Sequence, residues 1–219
     1  MESPSLLTPS QKAFLTEFFK QPVGQEFFLT GGTALAEYYL HHRYSEDIDL
    51  FTLNEVALHQ ISASLPAIAL NLGATYEDRF RTSSFRQVFV RIGQDDLKID
   101  LVRDVGTQFG EHRLFGNVIV DSELNIAVNK VTAIFGRTTP KDFVDLYFLL
   151  KKGYPLAELL QMAKEKDLGF TEFYFASMLR QGRSLTTMPR MIVPLTVEEL
   201  RPFFEELATQ IMVRLKPPE

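Results

Sequence analysis

The chain has no cysteine among its 219 residues. Disulfide bonds and thiolate metal sites are therefore excluded, and the composition fits a reducing compartment. No apolar run approaches the ~20 residues that a membrane-spanning helix needs. The N-terminal stretch MESPSLLTPSQK lacks the positive start and apolar segment of a secretion signal. We therefore expect a cytoplasmic protein that makes no contact with a membrane.

A strongly basic character is missing as well, because the net charge is −5. Residues 1–120 hold 10 Lys and Arg against 15 Asp and Glu, whereas residues 121–219 hold 13 of each class. Neither half has the basic surface of a dedicated nucleic-acid binder, so RNA or DNA would have to be held by a local patch. An acidic N-terminal half is expected if its carboxylates hold metal ions.

Hydrophobic periodicity predicts strands in the first part of the chain and helices in the second. The predicted strands cover residues 26–30, 47–52, 85–92, 97–104 and 117–122. The predicted helices cover residues 9–20, 33–41, 54–72, 124–136, 140–151, 155–166, 170–180 and 196–214. This order indicates an α/β or α+β domain over residues 1–120 and a mostly helical domain over residues 121–219.

Three carboxylates lie where strands would bring them to one side of a sheet. In SEDIDLF, alternation along the strand places Asp47 and Asp49 on one face, with Cα atoms ~6.5 Å apart. In LKIDLV, Asp100 lies on the face opposite Leu97 and Ile99. Such acids can hold one or two Mg²⁺ ions, and two metals can stabilise both oxygens of a phosphoryl-type displacement. The alternative is a half-exposed sheet with solvated acids.

The segment LTGGTAL joins a predicted strand to a predicted helix. Gly31 and Gly32 allow the backbone to approach a ligand closely, and the helix start offers free N–H groups beside the Thr33 hydroxyl. This is a way to hold a triphosphate. The alternative is a tight turn with a capping threonine. The later glycines and the Gly-Lys step are missing, so it is neither a dinucleotide fingerprint nor a P-loop.

The whole string GGTALAEYYLHHRYSEDIDLF is more specific than its parts. It resembles the signature of the polymerase-β-like nucleotidyltransferase superfamily, in which a glycine turn, a helix and a D-x-D strand follow one another. In detail it looks like the AbiEii/AbiGii toxin branch, and KIDLV and VNKVTAIFGRTTPKDFVDLYFLL match that branch too. The resemblance covers residues 25–150.

The resemblance implies a minimal nucleotidyltransferase core, a short mixed sheet flanked by helices, that uses an NTP and two Mg²⁺ ions. The implied phosphate-binding residues are Gly31, Gly32 and Thr33. The implied metal ligands and catalytic acids are Asp47, Asp49 and Asp100, with Asp100 either a ligand or the base for the acceptor hydroxyl. Lys130 is the fourth implied catalytic residue, and it would reach a phosphate. The substrate-binding set is completed by Arg43, Ser45, Lys130, Arg137, Asp142 and Asp145.

Several of these residues also fit a simpler interpretation. Without the resemblance, Lys130 is an ordinary exposed lysine. Asp142 lies near a helix start, where acids are favoured, and it can pair with Lys130 or Arg137. His41 and His42 are adjacent on a helix end and point in different directions, so we do not expect them to bind zinc.

Aromatic residues and arginines occur together in FTEFYFASMLRQGRSLTTMPRM. Such a set can bind single-stranded RNA by stacking and phosphate contact. Helical spacing favours the core for the aromatic residues Phe170, Phe173 and Tyr174. For Arg180, Arg183 and Arg190 the two interpretations stay open.

We expect a Mg²⁺-dependent enzyme that transfers an NMP from an NTP to a hydroxyl and releases pyrophosphate. The resemblance implies an RNA acceptor such as a tRNA 3′ end, and a toxin role with a cognate antitoxin as partner. One alternative is a nucleotide-binding or partner-binding protein with the same fold and little catalysis. Another is a metal-dependent phosphohydrolase, although the four histidines are not spaced for it.

Overall fold

The computed structural model describes residues 4–104 and 106–216. The helices are α1 Pro9–Lys20, α2 Gly31–Leu35, α3 Glu55–Asn71, α4 Glu123–Gly136, α5 Pro140–Lys152, α6 Leu156–Lys166, α7 Glu172–Arg180 and α8 Val197–Arg214. The strands are β1 Phe28–Thr30, β2 Ile48–Thr52, β3 Thr75–Arg81, β4 Phe85–Ile92, β5 Asp95–Arg103, β6 Arg113–Phe115 and β7 Val118–Val120. The mixed α/β class is confirmed.

The chain divides into two compact units. The first comprises Met1–Tyr39, Ser45–Val105 and Gly110–Glu123, and the second comprises Leu40–Tyr44, Gly106–Phe109 and Leu124–Glu219. Two short segments from the first half of the sequence therefore group with the second unit. No single boundary in the sequence therefore separates the two units.

The first unit is built on a seven-stranded mixed sheet in the order β3-β4-β5-β2-β1-β7-β6. The β2–β5 and β1–β7 pairs are parallel and the other neighbours are antiparallel. Helices α1 and α3 pack against the sheet. The face that they cover is apolar, and Leu50, Val88 and Ile99 are fully buried on it. Alternation along β2, β4 and β5 therefore leaves their other face partly exposed.

The second unit is helical around an aromatic core. The rings of Phe143 on α5 and Phe204 on α8 meet edge to face with centroids 5.0 Å apart, and both rings are fully buried. Phe170 is buried, whereas Phe173 and Tyr174 are 65% and 49% exposed, so the core prediction is wrong for these two. Among the described helices none is long and apolar enough to cross a bilayer.

The predicted elements are largely confirmed, with three differences. Strand β3 was not predicted, because TYEDRFR is a charged edge strand without an apolar face. Strand β6 was not predicted either, and it has only three residues. The helix predicted over residues 33–41 begins already at Gly31 and continues beyond Leu35 as a π-helical turn over Ala36–Leu40.

Candidate active site

Asp49 and Asp100 are neighbours across two parallel strands. Asp49 on β2 and Asp100 on β5 are register partners, and Asp47 lies one residue before β2 begins. The side chain of Asp47 is 26% exposed and that of Asp100 is 15% exposed. The carboxylates lie opposite Ile48 and Ile99, which are fully buried and fix both strands. The sheet therefore brings the predicted acids to its partly exposed face.

Lys98 is a neighbour of this group that the sequence did not single out. Its Nζ atom lies 3.0 Å from Asp100 Oδ2 and 3.5 Å from Asp47 Oδ2. Burial alone would lower the pKa of Lys98, but the hydrogen bond to Asp100 and the charges of Asp100, Asp47 and Asp49 outweigh it and raise that pKa. The ammonium thus remains charged and neutralises part of the acidic cluster. Its position two residues before Asp100 on the same strand face was the available signal.

Gly31 makes room for the Asp49 carboxylate. Its φ angle is +68°, and a Cβ atom at this position would lie 2.1 Å from Asp49 Oδ2. The preceding residue, Thr30, is the register partner of Asp49 across β1 and β2. Any side chain at position 31 would therefore displace the carboxylate. The first glycine of the predicted phosphate turn shapes the acidic site directly.

The backbone that leads into β2 is held by two buried side chains. Gln11 on α1 donates from Nε2 to the carbonyl oxygens of Ser45 and Glu46, both at 3.0 Å. The Thr33 hydroxyl donates to the carbonyl oxygen of Asp47. Thr33 is only 2% exposed, so its hydroxyl supports the position of Asp47. Gln11 was not singled out from the sequence, because a contact to a backbone carbonyl leaves no pattern in it.

Gln87 on β4 is a further neighbour of the acids. It is the register partner of Asp100 and donates from Nε2 to Asp100 Oδ1 at 2.9 Å. One carboxylate oxygen of Asp100 therefore faces an amide and the other faces the Lys98 ammonium. These two contacts orient the carboxylate that the sequence predicts as a metal ligand or base.

The donor chemistry fits a hard divalent cation. Mg²⁺ prefers carboxylate oxygens and binds through one or two of them together with substrate phosphates. Within residues 4–104 and 106–216, however, no three Asp, Glu or His side chains already converge as a metal site. The Lys98 ammonium contacts Asp100 and Asp47, two of the three acids. The set Asp47, Asp49 and Asp100 stays a prediction for the metal ligands.

In the second unit, Lys130 lies at the centre of a buried ionic cluster. Its Nζ atom lies 2.9 Å from Asp142 Oδ1 and 2.7 Å from Asp145 Oδ2, and the residue is 6% exposed. Arg43 binds Asp145 in a bidentate manner, from Nε at 2.6 Å and from Nη2 at 2.8 Å. Lys130 is thus enclosed by carboxylates, in contrast to the alternative of an ordinary exposed lysine.

The cations of this cluster hold its acids in the ionised form. Burial would raise the pKa of Asp145, but Lys130 and Arg43 outweigh it and place that pKa well below its usual value. Burial would likewise raise the pKa of Asp142, but Lys130 and Arg137 lower it. Arg137 donates from Nε to Asp142 Oδ2 at 2.8 Å. Both pairings that the sequence allowed for Asp142 are therefore present.

His42 completes the cluster as a neutral ring. Its Nε2 lies 2.7 Å from Asp145 Oδ1, and the side chain is fully buried. Burial lowers the pKa of His42, and this outweighs the opposing effect of Asp145. A neutral imidazole with its proton on Nε2 donates to the carboxylate. Nδ1 is buried and has no hydrogen-bond partner among the residues that the structure describes. Asp145 thereby accepts hydrogen bonds from His42 and Arg43 in addition to its ion pair with Lys130.

The predicted site residues thus form two sets, one in each unit. Gly31, Gly32, Thr33, Ser45, Asp47, Asp49 and Asp100 belong to the first unit, and Arg43, Lys130, Arg137, Asp142 and Asp145 belong to the second. Within the first unit the acids lie beside the glycine turn. Within the second unit the five residues contact one another. Their roles in catalysis and substrate binding stay predictions.

Comparison with known proteins identifies the class of this molecule. Residues 13–207 match the nucleotidyl transferase AbiEii toxin family of type IV toxin–antitoxin systems. The chain belongs to this family, and it is an enzyme that catalyses NTP-dependent nucleotidyl transfer. The suspected family is therefore confirmed.

Individual relatives agree with this assignment. An uncharacterised protein of Aquifex aeolicus strain VF5 is 30% identical over 171 residues, which cover 73% of this chain and 75% of that protein. Among solved structures, the fold is similar to MenT4, a nucleotidyltransferase toxin from Mycobacterium tuberculosis H37Rv, with a TM-score of 0.59, 12% identity and coverage of 95% and 92%. It is also similar to JHP933 from Helicobacter pylori, with a TM-score of 0.55, 21% identity and coverage of 93% and 89%.

Proposed function

We propose that this chain transfers an NMP from an NTP to a hydroxyl at the 3′ end of an RNA, and that it depends on Mg²⁺. The observation that carries the proposal is the register pairing of Asp49 with Asp100 beside Gly31. Two carboxylates on adjacent strands next to a glycine turn can hold a metal ion for a bound triphosphate and accept the proton of an attacking hydroxyl. An RNA of the tRNA class is the acceptor that we favour.

In the reaction, the acceptor oxygen attacks the α-phosphorus of the NTP. The new O–P bond forms as the bond between the α-phosphorus and the bridging oxygen breaks, and pyrophosphate leaves with that oxygen. Asp100 accepts the proton of the acceptor hydroxyl, while Gln87 and Lys98 orient its carboxylate. Asp47 and Asp49 would hold Mg²⁺ together with Asp100, and the metal would supply charge stabilisation at the phosphates. Gly31 and Gly32 would contact the phosphates through their backbone N–H groups.

For Lys130 we propose a positioning role. Its ammonium contacts two buried carboxylates, and a direct phosphate contact would have to break one of these ion pairs. Arg43, Asp142 and Asp145 fix the same cluster, and Arg137 supports it from its exposed edge. On this account these residues hold their unit in shape, and the phosphates are bound elsewhere.

The biological role that we propose is that of the toxin of a toxin–antitoxin pair, with a cognate antitoxin as protein partner. The family to which the chain belongs supports this role. Modification of an RNA needed for translation would account for toxicity, and neutralisation would require a second gene product.

The test is transfer of label from each α-³²P-labelled NTP to total RNA in the presence of Mg²⁺. We expect one discrete labelled RNA with the wild type, and none with Asp49→Asn or after chelation of divalent cations. Label on protein would show that the acceptor is a protein and not an RNA. NTP binding without any transfer would contradict the proposed activity.

A further inference from the structure

The sheet of the first unit presents an aromatic face beside the acids. On β4, Arg86 and Val88 point towards α3, and the Arg86 guanidinium donates to the Ser62 hydroxyl of that helix. Alternation therefore turns Phe85, Gln87 and Phe89 to the opposite face of the sheet, where all three are partly exposed. This is the same face that carries Asp100 on β5.

The neighbouring edge strand extends this face. Phe80 on β3 is 55% exposed, and its ring centroid lies 5.9 Å from that of Phe85. The Arg79 guanidinium lies over the Phe89 ring, 5.4 Å from the centroid. Two contacts, Phe80 with Phe85 and Arg79 with Phe89, thus place three phenylalanine rings and one guanidinium along β3 and β4. We call the residues Arg79, Phe80, Phe85, Gln87 and Phe89 the aromatic face.

The aromatic face is continuous with the candidate active site. Gln87 lies between Phe85 and Phe89 on β4 and donates to Asp100. Phe89 is the register partner of Lys98, whose ammonium contacts Asp100 and Asp47. An RNA strand bound along the rings of β4 would therefore lie on the strand next to β5, which carries Asp100. Asp100 is the residue for which we propose the role of proton acceptor.

Two arginines on this side of the sheet, each paired with one acid, supply cations for a phosphate backbone. Arg79 pairs with Glu77 at 3.2 Å, and Arg91 pairs with Asp96 at 2.6 Å. All four side chains are more than half exposed, and such surface ion pairs are weak. A phosphate can therefore compete for both guanidinium groups. A protein partner would instead favour a contiguous apolar surface, whereas here polar groups separate the rings.

We propose that the aromatic face binds the single-stranded 3′ end of the acceptor RNA by base stacking. This inference rests on the proposed function, since it supplies the binding surface for the acceptor of that reaction. Bases stack on Phe80, Phe85 and Phe89, and Arg79 contacts the backbone. Stacking on aromatic side chains tolerates any base, so the face holds the strand while sequence or shape is recognised elsewhere.

The test is the fluorescence anisotropy of a labelled single-stranded RNA of about 12 nucleotides, titrated with the full chain in the absence of NTP. Phe80→Ala should weaken binding about tenfold, the range found when a stacking aromatic is removed. Phe80→Tyr keeps the ring and should bind like the wild type. Leu114→Ala removes an exposed apolar side chain from β6, at the opposite edge of the same sheet, and should have no effect.

A duplex of the same sequence should compete poorly, because its bases are already stacked. Equal RNA binding by wild type, Phe80→Ala and Phe89→Ala would overturn the inference and leave the face to a protein partner. Label transfer to RNA is measured separately, so the two proposals fail independently. Normal label transfer together with unchanged RNA binding by the variants refutes only the proposed RNA-binding role of the aromatic face. Binding that depends on Phe80 without transfer to any RNA refutes the proposed function and the acceptor role of this face.

Discussion

The acidic residues of the two units lie in contrasting environments. Those of the first unit lie on a partly exposed sheet face, where the Asp47 side chain is 26% exposed and two of the three acids contact Lys98. Those of the second unit, Asp142 and Asp145, are fully buried and enclosed by cations. Exposed carboxylates can exchange a lysine for a metal ion or a substrate, whereas enclosed carboxylates cannot do so without unfolding. This contrast is the basis on which we propose chemistry for the first set and stability for the second.

The largest effect should follow from removing the central cation of the buried cluster. Lys130→Met leaves two buried carboxylates without their shared ammonium, so we expect the free energy of unfolding to fall by about 3–5 kcal/mol. Urea unfolding followed by circular dichroism measures this change. Arg137→Met is the matched control, since Arg137 also binds Asp142 but its side chain is 59% exposed, and it should cost less than about 1 kcal/mol. Equal effects of the two substitutions would contradict the structural role of Lys130.

The next effect concerns the first glycine of the turn. Gly31→Ala places a methyl group against the Asp49 carboxylate, so we expect nucleotidyl transfer to fall about 100-fold because the acid is displaced. Gly93→Ala is the control. Gly93 has a similar positive φ, but within residues 4–104 and 106–216 no atom lies within 4 Å of the position that the new methyl group would occupy. It should carry the same backbone strain and leave transfer unchanged. Equal activity of the two variants would show that the carboxylate does not need this space.

A smaller effect should follow from removing the lysine of the exposed cluster. Lys98→Met removes an ammonium that competes with a divalent cation for Asp47 and Asp100, so Mn²⁺ should bind about fivefold more tightly. Electron paramagnetic resonance of free Mn²⁺ reports this affinity without any turnover. Arg91→Met changes an exposed cation of the same sheet that pairs with Asp96, and it should not alter the affinity. Weaker Mn²⁺ binding by Lys98→Met would contradict the competition.

The smallest effect is a pH dependence from His42. Its pKa is lowered from 6.5 in the folded protein, so the unfolded chain binds the proton more readily. The contribution of His42 to stability is therefore present above pH 6.5 and is lost as the pH falls through the folded pKa. Unfolding measured between pH 7.5 and 5 should show this loss in the wild type. The loss should be absent in His42→Gln, which keeps a donor for Asp145, and an unchanged profile in that variant would exclude His42 as its source.

Much of the acidic site could be predicted from the sequence, because strand alternation is a local rule. It places Asp47 and Asp49 together and puts Asp100 on the face opposite the core. The parallel pairing of β2 with β5 is a long-range contact that no local pattern specifies, yet it makes Asp49 and Asp100 neighbours. The contact of Gln87 with Asp100 follows from the antiparallel pairing of β4 with β5. Lys98 lies two residues before Asp100 on the same strand face, so alternation could have found it, whereas its contact with Asp47 became visible only in the fold.

The buried cluster was harder to predict for a different reason. The sequence allowed Asp142 to pair with Lys130 or Arg137, but it could not show that Lys130 contacts both Asp142 and Asp145 in the interior. Arg43 binds Asp145 from a segment 102 residues earlier in the chain. The edge strand β3 was missed because its charged residues suit an exposed position and lack apolar alternation.

The most direct test of this account introduces the same Asp→Asn substitution at one acidic residue of each cluster. Asp49→Asn and Asp145→Asn are compared in two measurements, label transfer from an α-³²P-labelled NTP and urea unfolding. We predict that Asp49→Asn loses transfer while its unfolding free energy stays within about 1 kcal/mol of the wild type. We predict that Asp145→Asn lowers that free energy by about 3 kcal/mol or more. Wild-type transfer by Asp49→Asn, or wild-type stability of Asp145→Asn, would contradict the division of roles between the two clusters.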